Sequence, residues 1–249
     1  MTEPHTSLVF STGFATHTGK VRRENEDSYL VQPESGVWAV ADGMGGHEAG
    51  AQASAAVVAE LSSIGAAAGG ADLLSRLEER VLRANARMQR LSEARGGGIV
   101  GSTLVALLVF EGHYACVWSG DSRLYRVRAG AMEQVSRDHS EAQDLVDRGL
   151  LSADEARTWP RRNIITRALG IADVPELDME HGPIANGDRF VICSDGLTTH
   201  VEDPEILAIA ATEPPQSACD RLVALALERG GTDNVTVVIV AASDPAEAA

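Results

Sequence analysis

The sequence predicts an α+β protein in which antiparallel sheets carry packed helices. Strand-like and helix-like segments fall in separate blocks, not in strict βαβ alternation. Several strand candidates follow one another across short glycine-containing turns, the spacing of antiparallel neighbours. The longest helix candidate carries a single apolar face, as a helix laid on a sheet does.

In chain order, residues 8–16 and 28–32 read as short strands. Residues 36–41 (GVWAVA) form an apolar run that stops at Asp42-Gly43, a turn signal. Residues 49–64, rich in Ala, Val and Leu, read as a helix, and residues 71–94 as a longer one. Leu73, Leu74, Leu77, Val81, Met88 and Leu91 share one face of the second, a core stripe rather than a partner groove. Arg95-Gly96-Gly97-Gly98 ends it. Strand candidates 103–110, 113–119 and 123–128 are punctuated by Gly112, Gly120-Asp121 and Ala129-Gly130, and are expected to form one meander. Residues 138–162 are polar and irregular, with short helices at 140–148 and 152–158, and read as a mobile flap. Residues 189–193 form a strand that ends at Ser194-Asp195-Gly196. Helices are expected at 204–211 and 215–229. A β-branched strand at 235–241 follows Gly230-Gly231-Thr232-Asp233-Asn234. No repeat or linker interrupts the chain, so one domain is expected over 1–249, with its core at about 8–241 and a disordered tail at 243–249.

The 249 residues carry 21 Lys+Arg against 36 Asp+Glu, a net charge of −15. Such a surface repels nucleic acid and anionic lipid, and would repel a phosphorylated substrate unless metal ions or local arginines reverse the field. With only 4% aromatic residues, base-stacking platforms are not expected. Cys116, Cys193 and Cys219 are widely spaced and odd in number, which suits reduced thiols and a cytoplasmic location. The first ten residues have no signal-peptide pattern, and no apolar run is long enough to span a bilayer. No sensor, kinase or membrane-anchor segment is read, and a monomer is expected.

Four aspartates share one context. Asp42, Asp121 and Asp195 each follow a strand-like run, and Asp233 sits just before one. Strand ends lie at the edge of a sheet layer, where several turns can converge. Carboxylates gathered there repel unless something neutralises them, and hard cations such as Mg²⁺ and Mn²⁺ do so through oxygen ligands. Each aspartate taken alone is equally explained by turn chemistry.

Eight segments in order add specificity: Thr18-Gly19-Lys20-Val21-Arg22-Arg23-Glu24-Asn25-Glu26-Asp27; Val40-Ala41-Asp42-Gly43-Met44-Gly45-Gly46-His47; Gly101-Ser102-Thr103; Gly120-Asp121-Ser122-Arg123; Asp138-His139-Ser140; Ile165-Thr166-Arg167-Ala168-Leu169-Gly170; Cys193-Ser194-Asp195-Gly196-Leu197; and Gly231-Thr232-Asp233-Asn234. In them the chain resembles the bacterial metal-dependent Ser/Thr protein phosphatases of the PPM family, type 2C. The resemblance implies a four-layer α/β/β/α sandwich of two stacked antiparallel sheets flanked by helices, with the site at one end. It implies that Asp42 bridges two Mn²⁺ or Mg²⁺ ions, with the Gly43 carbonyl as a further ligand. Asp195 and Asp233 would complete the first ion's shell, and Asp121 with Asp195 would take a third, weaker ion. Glu26 and Asp27 would hold metal-bound waters with Asn234 beside them, and Arg22 would grip the phosphate. The alternatives are a hairpin-turn residue for Asp121 and solvated surface arginines for Arg22 and Arg23.

The implied reaction is attack of a metal-bridged hydroxide on phosphorus, in line with the Ser or Thr oxygen, with no phosphoenzyme. The implied partners are phosphorylated Ser/Thr proteins and a bacterial-type Ser/Thr kinase that the enzyme opposes. Animal members place a proton-donating histidine directly after Asp-Gly. Here that position is Met44, and His47 is the nearest candidate, or else a helix N-terminal residue.

Other chemistries fit less well. Cys193 has no following arginine loop, Ser102 stands where a P-loop needs Lys, and Glu48 spoils a dinucleotide fingerprint. His47-Glu48 lacks a second histidine at position 51, and no GxSxG elbow occurs. Two further readings remain: a catalytically inactive phosphopeptide-binding pseudoenzyme, and a small-phosphoester hydrolase.

Overall fold

The computed structural model describes residues 8–46 and 48–246. In chain order the strands and helices are β1 (Val9–His17), β2 (Asp27–Gln32), β3 (Val37–Met44), α1 (Glu48–Leu61), α2 (Gly70–Ala94), β4 (Gly101–Ser102), β5 (Leu104–Phe110), β6 (His113–Ser119), β7 (Arg123–Arg128) and β8 (Ala131–Gln134). There follow α3 (Glu141–Asp147), α4 (Ala153–Arg157), β9 (Asp178–Pro183), β10 (Arg189–Cys193), α5 (Asp195–Thr198), α6 (Asp203–Ala210), α7 (Pro215–Glu228) and β11 (Val235–Ser243).

The strands make two antiparallel sheets. One has the order β1-β11-β10-β7-β8; the other runs β2-β3-β5-β6-β9, with β4 paired to β3. Period-two alternation divides their side chains between three apolar layers. Phe190, Ile192, Val238 and Val240 meet Trp38, Val40, Val105, Leu107 and Tyr114 between the sheets. Val191, Cys193, Val237 and Ile239 face outward against Ala218, Leu222 and Ala226 of α7. Ala39, Ala41 and Leu104 face outward on the other sheet, against Ala53 and Val57 of α1 and Leu73, Leu77 and Met88 of α2. The result is the expected four-layer α/β/β/α sandwich, and the α2 stripe packs into its core.

One connection departs from the sequence reading. Strands β5 and β6 form a hairpin, but β7 leaves it and pairs with β8 and β10 of the opposite sheet. The crossing occurs at Gly120, whose φ of +114° is a conformation L side chains rarely adopt. A Cβ there would also stand 2.6 Å from the Thr103 side chain. The meander is therefore two hairpins in two sheets, joined across the sandwich by the Asp121 turn.

Two segments beyond the strands are pinned. The Glu141 N–H donates to the Ile164 carbonyl, and the Thr166 N–H to the His139 carbonyl, which closes the 140–165 excursion at its base. Residues 169–173 are held by the buried Asn85 of α2. Its Oδ1 accepts the Gly170 N–H at 2.6 Å, and its Nδ2 donates to the Ala172 carbonyl at 2.9 Å. Strand β11 runs to Ser243, paired with Val9, and Asp244 donates to Asn186 Oδ1. The tail reading therefore began at a paired residue, and residues 247–249 lie outside the described part.

Removing the Asn85 amide leaves the Gly170 N–H without its acceptor inside the protein. Asn85→Ala is expected to lower stability by about 2 kcal/mol or more, read as a shift of the urea midpoint at unchanged slope.

Candidate active site

The aspartates converge at one end of the sandwich because strands from both sheets stop or start there. Asp27 opens β2 directly opposite Asp42 of β3. Asp195 follows β10, and Asp233 precedes β11. Asp27 ties the sheets together: its Oδ2 accepts the Ser194 hydroxyl at 2.8 Å and the Thr236 hydroxyl at 2.7 Å. Its other oxygen, Oδ1, is buried and has no hydrogen-bond partner.

Asp42 is fixed through its main chain. Its N–H donates to Thr103 Oγ1 at 2.9 Å, and its carbonyl accepts the Thr103 N–H at 2.8 Å. Thr103 Oγ1 also lies 2.8 Å from Ser122 Oγ, so one hydroxyl connects Asp42 with the far side of the Asp121 turn. The Gly43 N–H donates to the Glu26 carbonyl. A Cβ on Gly43 would collide with the Gly50 carbonyl, and a Cβ on Gly50 would meet the Glu26 carboxyl at 2.6 Å. Two glycines thus let α1 lie directly against the acidic strand ends.

Asn234 joins the remaining turn. Its Oδ1 accepts the Glu26 N–H at 2.8 Å, and its Nδ2 donates to the Thr18 and Glu24 carbonyls. Both oxygens of Asp233 are engaged, Oδ1 by the Asn234 N–H and Oδ2 by Arg22 Nη2 at 2.7 Å. The Arg22 guanidinium is still half exposed, and the Asp233 contact first, against burial, raises its pKa.

Electrostatics give the site its character. Burial, with the charges of Asp27, Asp195, Asp121 and Asp233, pushes the Asp42 carboxyl well above the carboxylate range. Asp121 is pushed up likewise, by burial and by Asp195 and Asp138. Asp195 is raised to about 6 by burial and Asp233. Burial also carries Asp27 to about 7, against the pull of its two hydroxyl donors. Each shift reflects an unfavourable charge that Arg22 and Arg123 offset only in part at Asp195, and Arg123 only in part at Asp121.

Among the described residues, the groups at this end able to bind a cation are oxygens, as hard divalent cations require. Among the described residues no three carboxylate, histidine or cysteine groups form a ready cage for a metal. A cation of the Mg²⁺ type keeps several waters and needs only one or two carboxylates, so the donor set fits such ions and not tetrahedral zinc. The orphaned Asp27 Oδ1 fits too, as an acceptor for an ordered water.

The structure brings together Asp42, Gly43, Asp195, Asp233, Asp121, Glu26, Asp27, Asn234 and Arg22, every site residue expected from the sequence except one. His47 lies outside the described residues. Thr236 was missed; its signal is a lone hydroxyl inside an otherwise apolar strand, which must find a partner when buried. Thr103 and Ser194 stood in quoted motifs without a role, and both are structural donors or acceptors here. Beside the acidic end lies a cavity of about 350 Å³, lined by Asp121, Asp195, Asp138, Ser140, Arg162 and Asp203 among others.

Comparison with known proteins agrees with this fold. Residues 17–225 match the family model described as protein phosphatase 2C. The chain belongs to that family. It is 40% identical over 239 residues to the Ser/Thr protein phosphatase PstP of Mycobacterium tuberculosis, covering 94% of this chain but 45% of that protein. It is 33% identical to the Ser/Thr phosphatase stp of Listeria monocytogenes, covering 91% of this chain and 94% of that one. Among solved structures, PppA of Pseudomonas aeruginosa superposes with a TM-score of 0.88 at 39% identity, over 94% and 97% of the two chains. The PstP catalytic domain in complex with two manganese ions superposes with a TM-score of 0.85 at 37% identity, over 96% and 100%.

Thr103→Val keeps the side-chain shape but leaves the Asp42 N–H without its acceptor and the Ser122 hydroxyl without its partner. It is expected to cost about 1–3 kcal/mol in denaturant unfolding, whereas Thr103→Ser, which keeps the hydroxyl, is expected to cost less.

Proposed function

We propose that this chain is a metal-dependent protein Ser/Thr phosphatase that hydrolyses phosphoserine and phosphothreonine. The observation that carries the reading is an oxygen-only cluster of charge-strained aspartates, held by both sheets, with a half-exposed guanidinium at its edge. Asp42 and the Gly43 carbonyl would hold two Mn²⁺ or Mg²⁺ ions, with Asp195 and Asp233 completing the carboxylate set of the first ion and Asp121 with Asp195 taking a third. The two manganese ions of the PstP catalytic domain support that choice. When bound, such cations offset the repulsion among the carboxylates and make water a stronger acid.

The protein's own groups do the rest. Arg22 is a planar fork of donors at the mouth of the site, suited to two equatorial phosphate oxygens. Glu26 and Asp27 would hold metal-bound waters, and Asn234 fixes the loop that carries Glu26. The Cys193 thiol is buried and pushed up to about 12 by that burial, so it is no nucleophile, in keeping with direct attack by water and no phosphoenzyme. His47 is proposed as the proton donor to the leaving Ser or Thr oxygen.

The substrates are phosphorylated Ser/Thr proteins, and the opposing enzyme is a Ser/Thr kinase. Buried free cysteines support a reducing, cytoplasmic setting for a monomer. Among the described residues no helix is long and apolar enough to cross a membrane. The 138–162 flap overhangs the cavity beside Asp121 and Asp195 and tunes substrate access. Deleting residues 140–161 is expected to change peptide selectivity more than turnover of a small phosphoester.

The central test is phosphate release from a phosphothreonine peptide with Mn²⁺, with Mg²⁺ and with chelator. Release is expected with metal only, and to be abolished in Asp195→Asn. A folded protein that binds the peptide without releasing phosphate would instead be a phosphopeptide-binding module. Arg22→Ala is expected to lower kcat/KM by about tenfold to a hundredfold, the loss of a charge-assisted hydrogen bond.

A further inference from the structure

His139 is buried, only 7% exposed, yet it is neither a metal-ligand candidate nor part of the chemistry above. Every polar group it has is used. Its main-chain N–H donates to the Gly120 carbonyl at 2.9 Å, and its ring Nδ1 receives the Gly120 N–H at 3.1 Å. Its carbonyl accepts the Thr166 N–H at the base of the flap. Its ring Nε2 lies 3.1 Å from Asp178 Oδ2, and the other Asp178 oxygen accepts Arg167 Nη1 at 3.1 Å. The ring stacks on Trp118 at a 24° interplanar angle.

A backbone N–H can only donate, so Nδ1 must be the bare nitrogen and Nε2 must carry the proton. The neutral Nε2-H form is therefore written into the hydrogen bonds. The paired bonds to Gly120 hold the residue at its unusual φ, one position before Asp121. On the other side of Asp121, Ser122 is held by Thr103, which also holds Asp42. The Asp121 carboxylate is thus suspended between two anchors, in a place where burial and Asp195 both work against its charge.

We propose that His139 is a positioning residue for Asp121: its Nε2-protonated ring accepts the Gly120 N–H and keeps the Asp121 carboxylate turned into the acidic cluster. Through its carbonyl to Thr166 and its ring to the Asp178–Arg167 pair, the same residue ties that turn to the root of the flap. The proposal rests on reading Asp121 as a ligand for the third, weaker cation.

The first test needs no metal. Nitrogen NMR of the histidine-labelled full chain is expected to show His139 bare at Nδ1 and protonated at Nε2, and the opposite tautomer would overturn the proposal. The second uses Mn²⁺ alone, titrated calorimetrically into His139→Asn, His139→Gln and Asp121→Asn. Asparagine can place a carbonyl near the Nδ1 position, whereas glutamine's amide reaches the Nε2 position and leaves Gly120 without its acceptor.

His139→Gln is expected to weaken the weakest Mn²⁺ step by about tenfold or more, with the tighter steps little changed and the melting temperature lower by a few degrees for the lost Gly120 acceptor. His139→Asn is expected to stay close to wild type. Equal losses from both variants, or a loss spread over every step, would mean a general packing role and overturn the proposal. An unchanged titration in Asp121→Asn would overturn the reading of Asp121, and the proposal with it, while the tautomer result would still stand by itself.

Discussion

Carboxylates cannot be gathered at one end of a sandwich without being held there against their own repulsion. This chain holds them almost entirely with neutral groups. Asp27 is gripped by two hydroxyls, Asp42 by a threonine through its main chain, and Asp233 by an amide N–H. Neutral donors orient a carboxylate without cancelling its charge. Arg22 on Asp233 is the exception, and it stands at the exposed rim. The cluster therefore keeps its negative field in a well-defined shape, which is what a hydrated divalent cation recognises.

The grip depends on both sheets. Asp27 belongs to one sheet, while Ser194 and Thr236 belong to the ends of β10 and β11 in the other. Inner-face residues such as Phe190, Ile192, Trp38 and Leu107 set the distance between the sheets, and so the reach from one hydroxyl to the next carboxylate. The apolar filling and the acidic end are one design: a change of volume between the sheets is felt where the charges meet.

Much of this was legible in the sequence. Strands 113–119, 123–128 and 189–193 have the expected limits, because each is a β-prone run stopped by glycine or aspartate chemistry. Strands β8 and β9 were not seen; they lie at sheet edges, carry polar and exposed residues, and have no alternation to read. The four-residue α5 is too short for any periodicity. The sheet change at Gly120 was invisible because a local pattern says that a strand exists, not which partner it takes. The same limit applied to the site. Strand-end aspartates were visible one by one, but their meeting in space, and the hydroxyls that hold them, are long-range facts. Thr236 touches Asp27 across 209 positions of sequence.

Strand β11 carries a consequence for how the protein is made. It is the last strand among the described residues, yet it lies between β1 and β10 and pairs with both. A ribosome must therefore pass residue 235 before β1 can gain this neighbour. Until β11 slots in, Thr236 cannot reach Asp27 and Asp233 has no fixed place. A chain that stops short of β11 thus carries Asp27, Asp42, Asp121 and Asp195 without the Thr236 contact that ties the two sheets together at this end.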